Sequence, residues 1–182
     1  MLPPDLFRDQ PVQIGERVRL EPLTEAVLVD YLAMLADPEL GRLTGSAEQH
    51  APERIREWLA TRAAQVDRVD WAAIRIADGA FLGEAVLNQY DPANAWCNFR
   101  IALAAGHLGQ GYGTEITRLT LDHGFAAGLH RISLTVFAFN PRARRVYEKC
   151  GFRVEGRSRE VLWWDGGWHD EYVMGVLATD PR

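Results

Sequence analysis

Lysine is nearly missing from this sequence: Lys149 is the only one, and arginine supplies the remaining basic residues. That bias reads as genomic composition and carries no functional weight. Cysteine is also scarce. Cys97 and Cys150 are too few for a disulfide framework or a cysteine-based zinc site, so no metal is expected and a reducing, cytoplasmic setting fits best. No apolar run approaches the roughly 20 residues that span a bilayer. Residues 1–16 lack a basic stretch followed by an apolar one, so no signal peptide is expected. Repeats and low-complexity tracts are absent, which sets aside solenoids and disordered chains. A positive surplus is absent too. The formal net charge of -5 speaks against non-specific nucleic-acid binding.

What is present suits one globular unit. With 182 residues and 47% hydrophobic composition, the chain can bury one good core and is short for two. A single domain over residues 1–182 is expected. Residues 17–23 alternate like a strand. Thr24 is placed to cap a helix that ends near Asp37-Pro38. A polar, glycine-containing loop over 41–50 leads to a second helix over 52–65. Strands over 70–77 and 80–89 flank Asp78-Gly79, a hairpin signal. A strand over 97–104, a glycine-rich loop and a helix over 112–127 follow, with Gly128 as its stop. The β-branched and aromatic stretch 131–139 is a strand. A short helix opens at Asn140-Pro141 and stops before Gly151. Two long strands joined at Asp165-Gly166-Gly167 complete the chain. The sum is about seven strands and about four helices, an α/β domain with a mixed sheet.

The loop before the 112–127 helix holds Gly106, Gly109, Gly111 and Gly113 within eight positions. Glycine permits positive φ and close approach of backbone to a ligand. The first N–H groups of the helix lack internal partners and carry partial positive charge. Together they make a cradle for phosphate or pyrophosphate; a plain tight turn is the other reading. A nucleotide P-loop needs Gly-Lys-Ser/Thr, and no lysine is there. A dinucleotide fingerprint needs a third glycine where Thr114 stands.

In the Asn140–Pro141 segment, Asn140 suits an N-cap and Pro141 the first helical position. Ala143, Val146, Tyr147 and Cys150 recur at helical spacing and form one apolar stripe. Tyr147 therefore points inward, either as a satisfied core aromatic or as a proton donor facing a cleft. Arg142 and Arg145 lie mostly on another face.

Taken together, these segments resemble the GNAT superfamily of acyl-CoA N-acyltransferases. Residues 109–115 resemble its motif A, residues 140–152 its motif B, and residues 165–174 the closing hairpin of its RimJ/RimL-like branch. The resemblance covers about 17–177. It implies a GNAT-like fold, a central and mostly antiparallel sheet flanked by helices. It also implies acetyl-CoA as co-substrate and a primary amine as acceptor: a peptide or protein N-terminus, a polyamine or an aminoglycoside-like molecule. A homodimer is a further expectation, and a non-catalytic acyl-CoA-binding module on the same fold is the alternative. The resemblance also implies that the strand carrying Ile101, Ala102 and Leu103 splays from the next one to pair with pantetheine. Backbone N–H groups of Leu108, Gly109, Gln110, Gly111, Tyr112, Gly113 and Thr114 would hold the pyrophosphate. Asn140 and Arg142 would contact the cofactor, and Tyr147 would protonate the departing thiolate.

The sequence departs from the family pattern at three places. Leu108 stands at the Gln/Arg position of motif A, and Ala143 where many relatives have serine. Asn98 and Arg100 replace the Glu and Gly of an E-I-G-I pattern, which removes a carboxylate and sets Arg100 against a cationic substrate. A base is still needed, because alkyl amines with pKa values near 10 are mostly protonated at neutral pH. Glu84, in a strand of apolar residues beside Gly83, faces either a cleft or the sheet surface. Asp91, His107 and His169 are weaker choices. Trp163, Trp164 and Trp168 cluster near the last hairpin, as packing residues or as the lining of an acceptor site or subunit contact.

Overall fold

The computed structural model describes residue 7, residues 10–46 and residues 51–181. Among them are eight strands: β1 (Gln13–Ile14), β2 (Val18–Pro22), β3 (Val69–Arg75), β4 (Phe81–Asp91), β5 (Trp96–Leu103), β6 (Arg131–Phe137), β7 (Arg153–Trp164) and β8 (Gly167–Leu177). Five α-helices accompany them: α1 (Leu28–Leu35), α2 (Pro38–Thr44), α3 (Pro52–Ala60), α4 (Tyr112–Ala126) and α5 (Pro141–Lys149). The strands form one sheet in the order β1-β2-β3-β4-β5-β6-β8-β7. Every neighbouring pair is antiparallel except β5 and β6, which run parallel.

The sheet is covered on both faces, and each face has its own core. On one side Tyr112, Ile116 and Leu121 of α4 and Tyr147 of α5 pack on Trp71, Leu87, Phe99 and Ile132. On the other, Tyr31 and Met34 of α1, Leu40 of α2, and Ile55 and Leu59 of α3 pack on Ala72, Ile74 and Phe81. Burying both faces explains the nearly unbroken apolar texture of β3 and β4.

The mixed α/β architecture agrees with the sequence reading, and the additions have local causes. Asp37-Pro38 reads as the end of one helix, yet it begins the next. Asp37 Oδ1 accepts from Glu39 N at 2.9 Å, and Pro38 occupies the first turn of α2, where its missing N–H costs nothing. Part of the loop expected over 41–50 is therefore helix, through Thr44; residues 47–50 lie outside the described residues. Thr24 does cap, but what it caps is a short 3-10 turn (Glu25–Val27) ahead of α1. The helix expected over 52–65 ends as α-helix at Ala60. The hairpin tryptophans are not core residues: Trp163 and Trp168 are more than half exposed and meet edge to face at 5.3 Å.

One irregularity places a functional side chain. The β3–β4 register shifts at Ala73/Ile74. Beside it Gly83 has φ +149°, and a Cβ there would lie 2.0 Å from the Ala102 carbonyl oxygen. Only glycine fits that approach. Glu84 follows directly, between Ala72 on β3 and Ala102 on β5.

Candidate active site

The parallel β5–β6 pair is joined by three residue pairs only, from Trp96↔Arg131 to Asn98↔Ser133. Beyond Asn98 the two strands part, while β5 stays in register with β4 as far as Leu103. Backbone groups in an antiparallel ladder alternate in direction. Ala104 N donates to the Leu82 carbonyl, so Leu103 and Ile101 turn their N–H and C=O groups the other way, into the gap. Such groups call for a partner that the sheet does not supply. The gap opens into a groove of about 1010 Å³ that reaches both faces of the sheet.

At one end of the groove stands the N-terminus of α4. Gly111, its N-cap, has φ +88°, and no side chain caps the helix. Thr114 N already donates to the Gly111 carbonyl at 3.1 Å and Leu108 N to the Ala105 carbonyl at 3.2 Å, so the N–H groups left for a ligand are those from Gly109 to Gly113. Leu108, Gly109, Gly111, Gly113 and Thr114 line the groove here. Gln110 and Tyr112 do not. The Gln110 side chain turns back to the Gly106 carbonyl, and the Tyr112 ring is buried under the Arg17 guanidinium; these two residues can offer backbone only. Arg17 also donates to the Gln110 carbonyl and pairs with Glu115, which braces the turn.

From the α4/α5 face, α5 presents Asn140, Arg142, Arg145, Tyr147 and Lys149 to the groove. Asn140 Oδ1 accepts from Ala143 N at 3.0 Å, so Asn140 caps α5 and keeps its amide nitrogen free for another contact. The Tyr147 ring packs edge to face on Phe99 and Phe152. Burial raises the pKa of its hydroxyl. That hydroxyl therefore keeps its proton at neutral pH, and it has no hydrogen-bond partner among the described residues.

From the opposite face comes Glu84, whose side chain points under α1. Tyr31 of α1 donates to Glu84 Oε2 at 2.9 Å, and both side chains are buried. Desolvation raises the Glu84 pKa; the Tyr31 hydrogen bond and the charge of Arg100 pull it back down. Tyr31 is held in turn by Trp58 and Phe81. Sequence reasoning leaves Glu84 between two orientations and does not find Tyr31, whose helical periodicity marks it only as a core position. Ile101, Ala102 and Leu103 line the groove between the two faces.

The weaker candidates lie elsewhere. Asp91 closes its own turn by accepting from Ala93 N and Asn94 N. His107 packs on Tyr112, and His169 contacts the Trp164 carbonyl; neither lines the groove, and nor do Trp163, Trp164 and Trp168. Among the described residues no cluster of three or more His, Cys, Asp or Glu side chains could hold a metal ion. No described helix is long and apolar enough to cross a membrane.

Comparison with known proteins adds three findings. The family described as Acetyltransferase (GNAT) domain matches residues 17–153, a stretch that contains every residue lining the groove. Among curated proteins, a spermidine N(1)-acetyltransferase of Vibrio cholerae is 36% identical over 82 residues, 44% of this chain and 47% of that protein. The matched part thus spans about half of that relative's length. A putative ribosomal N-acetyltransferase of Bacillus subtilis is 27% identical over 136 residues, 74% of this chain and 73% of that one. Among solved structures, the spermidine N-acetyltransferase of Vibrio cholerae in complex with CoA and spermine superposes with a TM-score of 0.84 at 21% identity, covering 91% of this chain and 98% of that one. At that identity the likeness is one of fold.

Proposed function

The chain belongs to the GNAT acetyltransferase family, and from that premise we propose that it transfers an acetyl group from acetyl-CoA to a primary amine bound in the same groove. The observation that carries this reading is the parting of β5 from β6, which leaves backbone groups unpaired next to an uncapped, glycine-rich helix N-terminus. The two features fit the two chemistries of the donor. An extended amide-bearing arm pairs with Leu103 and Ile101 as a strand would. A pyrophosphate sits on the N–H groups of residues 109–113, with Arg142 and the Asn140 amide beside it.

Acetyl-CoA supplies the activated acyl group; the chain supplies position and proton traffic. Glu84, reached from the α1 side, accepts the proton that the amine must lose, directly or through one water. A backbone N–H in the opened edge near Leu103 faces the oxygen on which charge develops. Tyr147, entering from the α5 side, gives its proton to the departing thiolate. Thus the acid and the base approach the reacting centre from opposite faces of one sheet.

The acceptor classes that the family resemblance offers are a peptide or protein α-amine, a polyamine and an aminoglycoside-like amine. Relatives named for spermidine support a small amine. The ribosomal N-acetyltransferase relative supports a place in the RimJ/RimL-like branch. We take the chain to act as one acetyltransferase domain, in the cytoplasm and as a homodimer. The first test is calorimetric titration of acetyl-CoA, with ATP and NADH as controls, followed by thiol release with a panel of amines. Selective binding near one per chain and amine-dependent release are the expected results. No binding would sink the assignment; binding without amine-dependent release would leave an acyl-CoA-binding module on this fold.

A further inference from the structure

An acceptor can be assigned only if acetyl transfer takes place in this groove; granted that reading, the charges of the groove narrow the choice. Asn98, Arg100 and Ala102 stand on the α1–α3 face of β5, opposite Asn88, Val86 and Glu84 of β4. Successive positions on one face lie about 7 Å apart. Most polar groups on this face are already engaged. Asn98 donates to Asn88, and Glu84 is bound by Tyr31. Asp70, opposite Val86 on β3, has one oxygen on Arg68 Nε at 2.7 Å and the other on Arg68 Nη2 at 2.6 Å.

The carboxylates around α2 are engaged as well. Arg42 grips both oxygens of Glu39 at 2.8 Å, and Asp37 caps the helix. Arg100 differs from all of these. It is exposed in the groove, and its guanidinium has no ion pair among the described residues. Arg54 of α3 lines the same half and adds to the positive charge. The uncommitted charge beside Glu84 is therefore positive. A second ammonium of a polyamine placed there would meet Arg100, whereas a carboxylate would meet a planar fork of donors that matches its two oxygens.

We propose that the acceptor is a small aminocarboxylate, whose amine is presented to Glu84 while its carboxylate pairs with Arg100. Arg100 is then the residue that sets specificity, one same-face step along the ladder from the base. The neighbouring charges agree with this placement: Arg100 is near enough to Glu84 to favour its ionised form. A bound carboxylate would occupy that cation, so an amine and its counter-charge are read by one patch of sheet.

The test compares kcat/KM for a series of aminocarboxylates of increasing length, from glycine through γ-aminobutyrate to ε-aminocaproate, with the matching carboxamides and with spermidine. At its best chain length the wild-type enzyme should favour the acid over its amide by about tenfold, the size of one charge-assisted hydrogen bond. R100Q should bring that ratio close to one, and R100E should turn the preference toward spermidine. Acid and amide are measured on the same preparation, so a poorly folded fraction of a variant cancels. A wild-type ratio near one at every length, or a preference that R100Q leaves intact, would overturn the proposal. Acetylation of spermidine and the amides but not of the acids would overturn it while leaving the acetyltransferase reading in place. Failure of every amine to release thiol from a protein that binds acetyl-CoA would remove both.

Discussion

Burial raises the pKa of Glu84, and the sign of that shift ties stability to function. A carboxyl whose folded pKa lies above its unfolded value adds stability below the unfolded value, about 4.3 for glutamate. It loses that contribution as the pH climbs through the folded one. At neutral pH the Glu84 carboxylate therefore works against folding. Glu84→Gln, which can still accept from Tyr31, should melt higher than wild type at pH 8 and gain less at pH 4, while turnover falls by about a hundredfold. Equal melting shifts at both pH values would contradict the assignment. Tyr31→Phe removes a hydrogen bond that favours the ionised form, so the acidic limb of kcat/KM should move to higher pH. A variant with lower activity and an unmoved limb would make Tyr31 a packing residue only. Tyr147→Phe should lower turnover by a comparable factor with acetyl-CoA affinity retained, as calorimetry would report. Tyr147 was legible because helical spacing put it on the inner stripe of a capped helix. Glu84 was only half legible, since the bulge at Gly83 decides which face it takes. Tyr31 was not legible, because its partner lies 53 residues away and no local pattern encodes the pair.

Elements with a firm periodicity and a punctuated end came through the sequence well: α4, β6, α5 and the two closing strands match their expected spans to within a few residues. What escaped was short or ambiguous. β1 has two residues, below any pattern, and Pro38 signals a start and a stop with equal force. The elements that frame the groove can be probed directly. Asn140→Ala should cost about 1 kcal/mol through loss of the α5 cap, read as a lower melting temperature, and should weaken acetyl-CoA binding as well. A stability loss with unaltered affinity would confine Asn140 to capping. In the free protein the amides of Ile101 and Leu103 lack a strand partner, so they should exchange with solvent faster than those of Arg100 and Ala102, which face β4. Acetyl-CoA should slow the first pair and leave the second alone; hydrogen exchange by NMR would show it.

The whole molecule carries a formal charge of -5, yet α5 sets Arg142, Arg145 and Lys149 along the groove. A local positive field on an acidic protein favours a phosphate-rich ligand and is screened by salt. Acetyl-CoA affinity should fall as ionic strength rises, while that of a phosphate-free pantetheine thioester should change little. Equal salt dependence would mean that the α5 cations do not face the phosphates. The order of the strands could not be read from the chain, because it rests on long-range pairing. The same holds for the one parallel junction at its centre. That junction has three residue pairs, whereas β4–β5 and β6–β8 have seven each. Five strands lie to one side of it and three to the other, so the two parts of the sheet are joined along their backbones only at Trp96, Cys97 and Asn98. Those three rungs fix where the mouth of the groove begins, as the crotch of a fork fixes the spread of its tines. The cleft is therefore written into the pairing of the backbone, and no single side-chain substitution in the groove would close it.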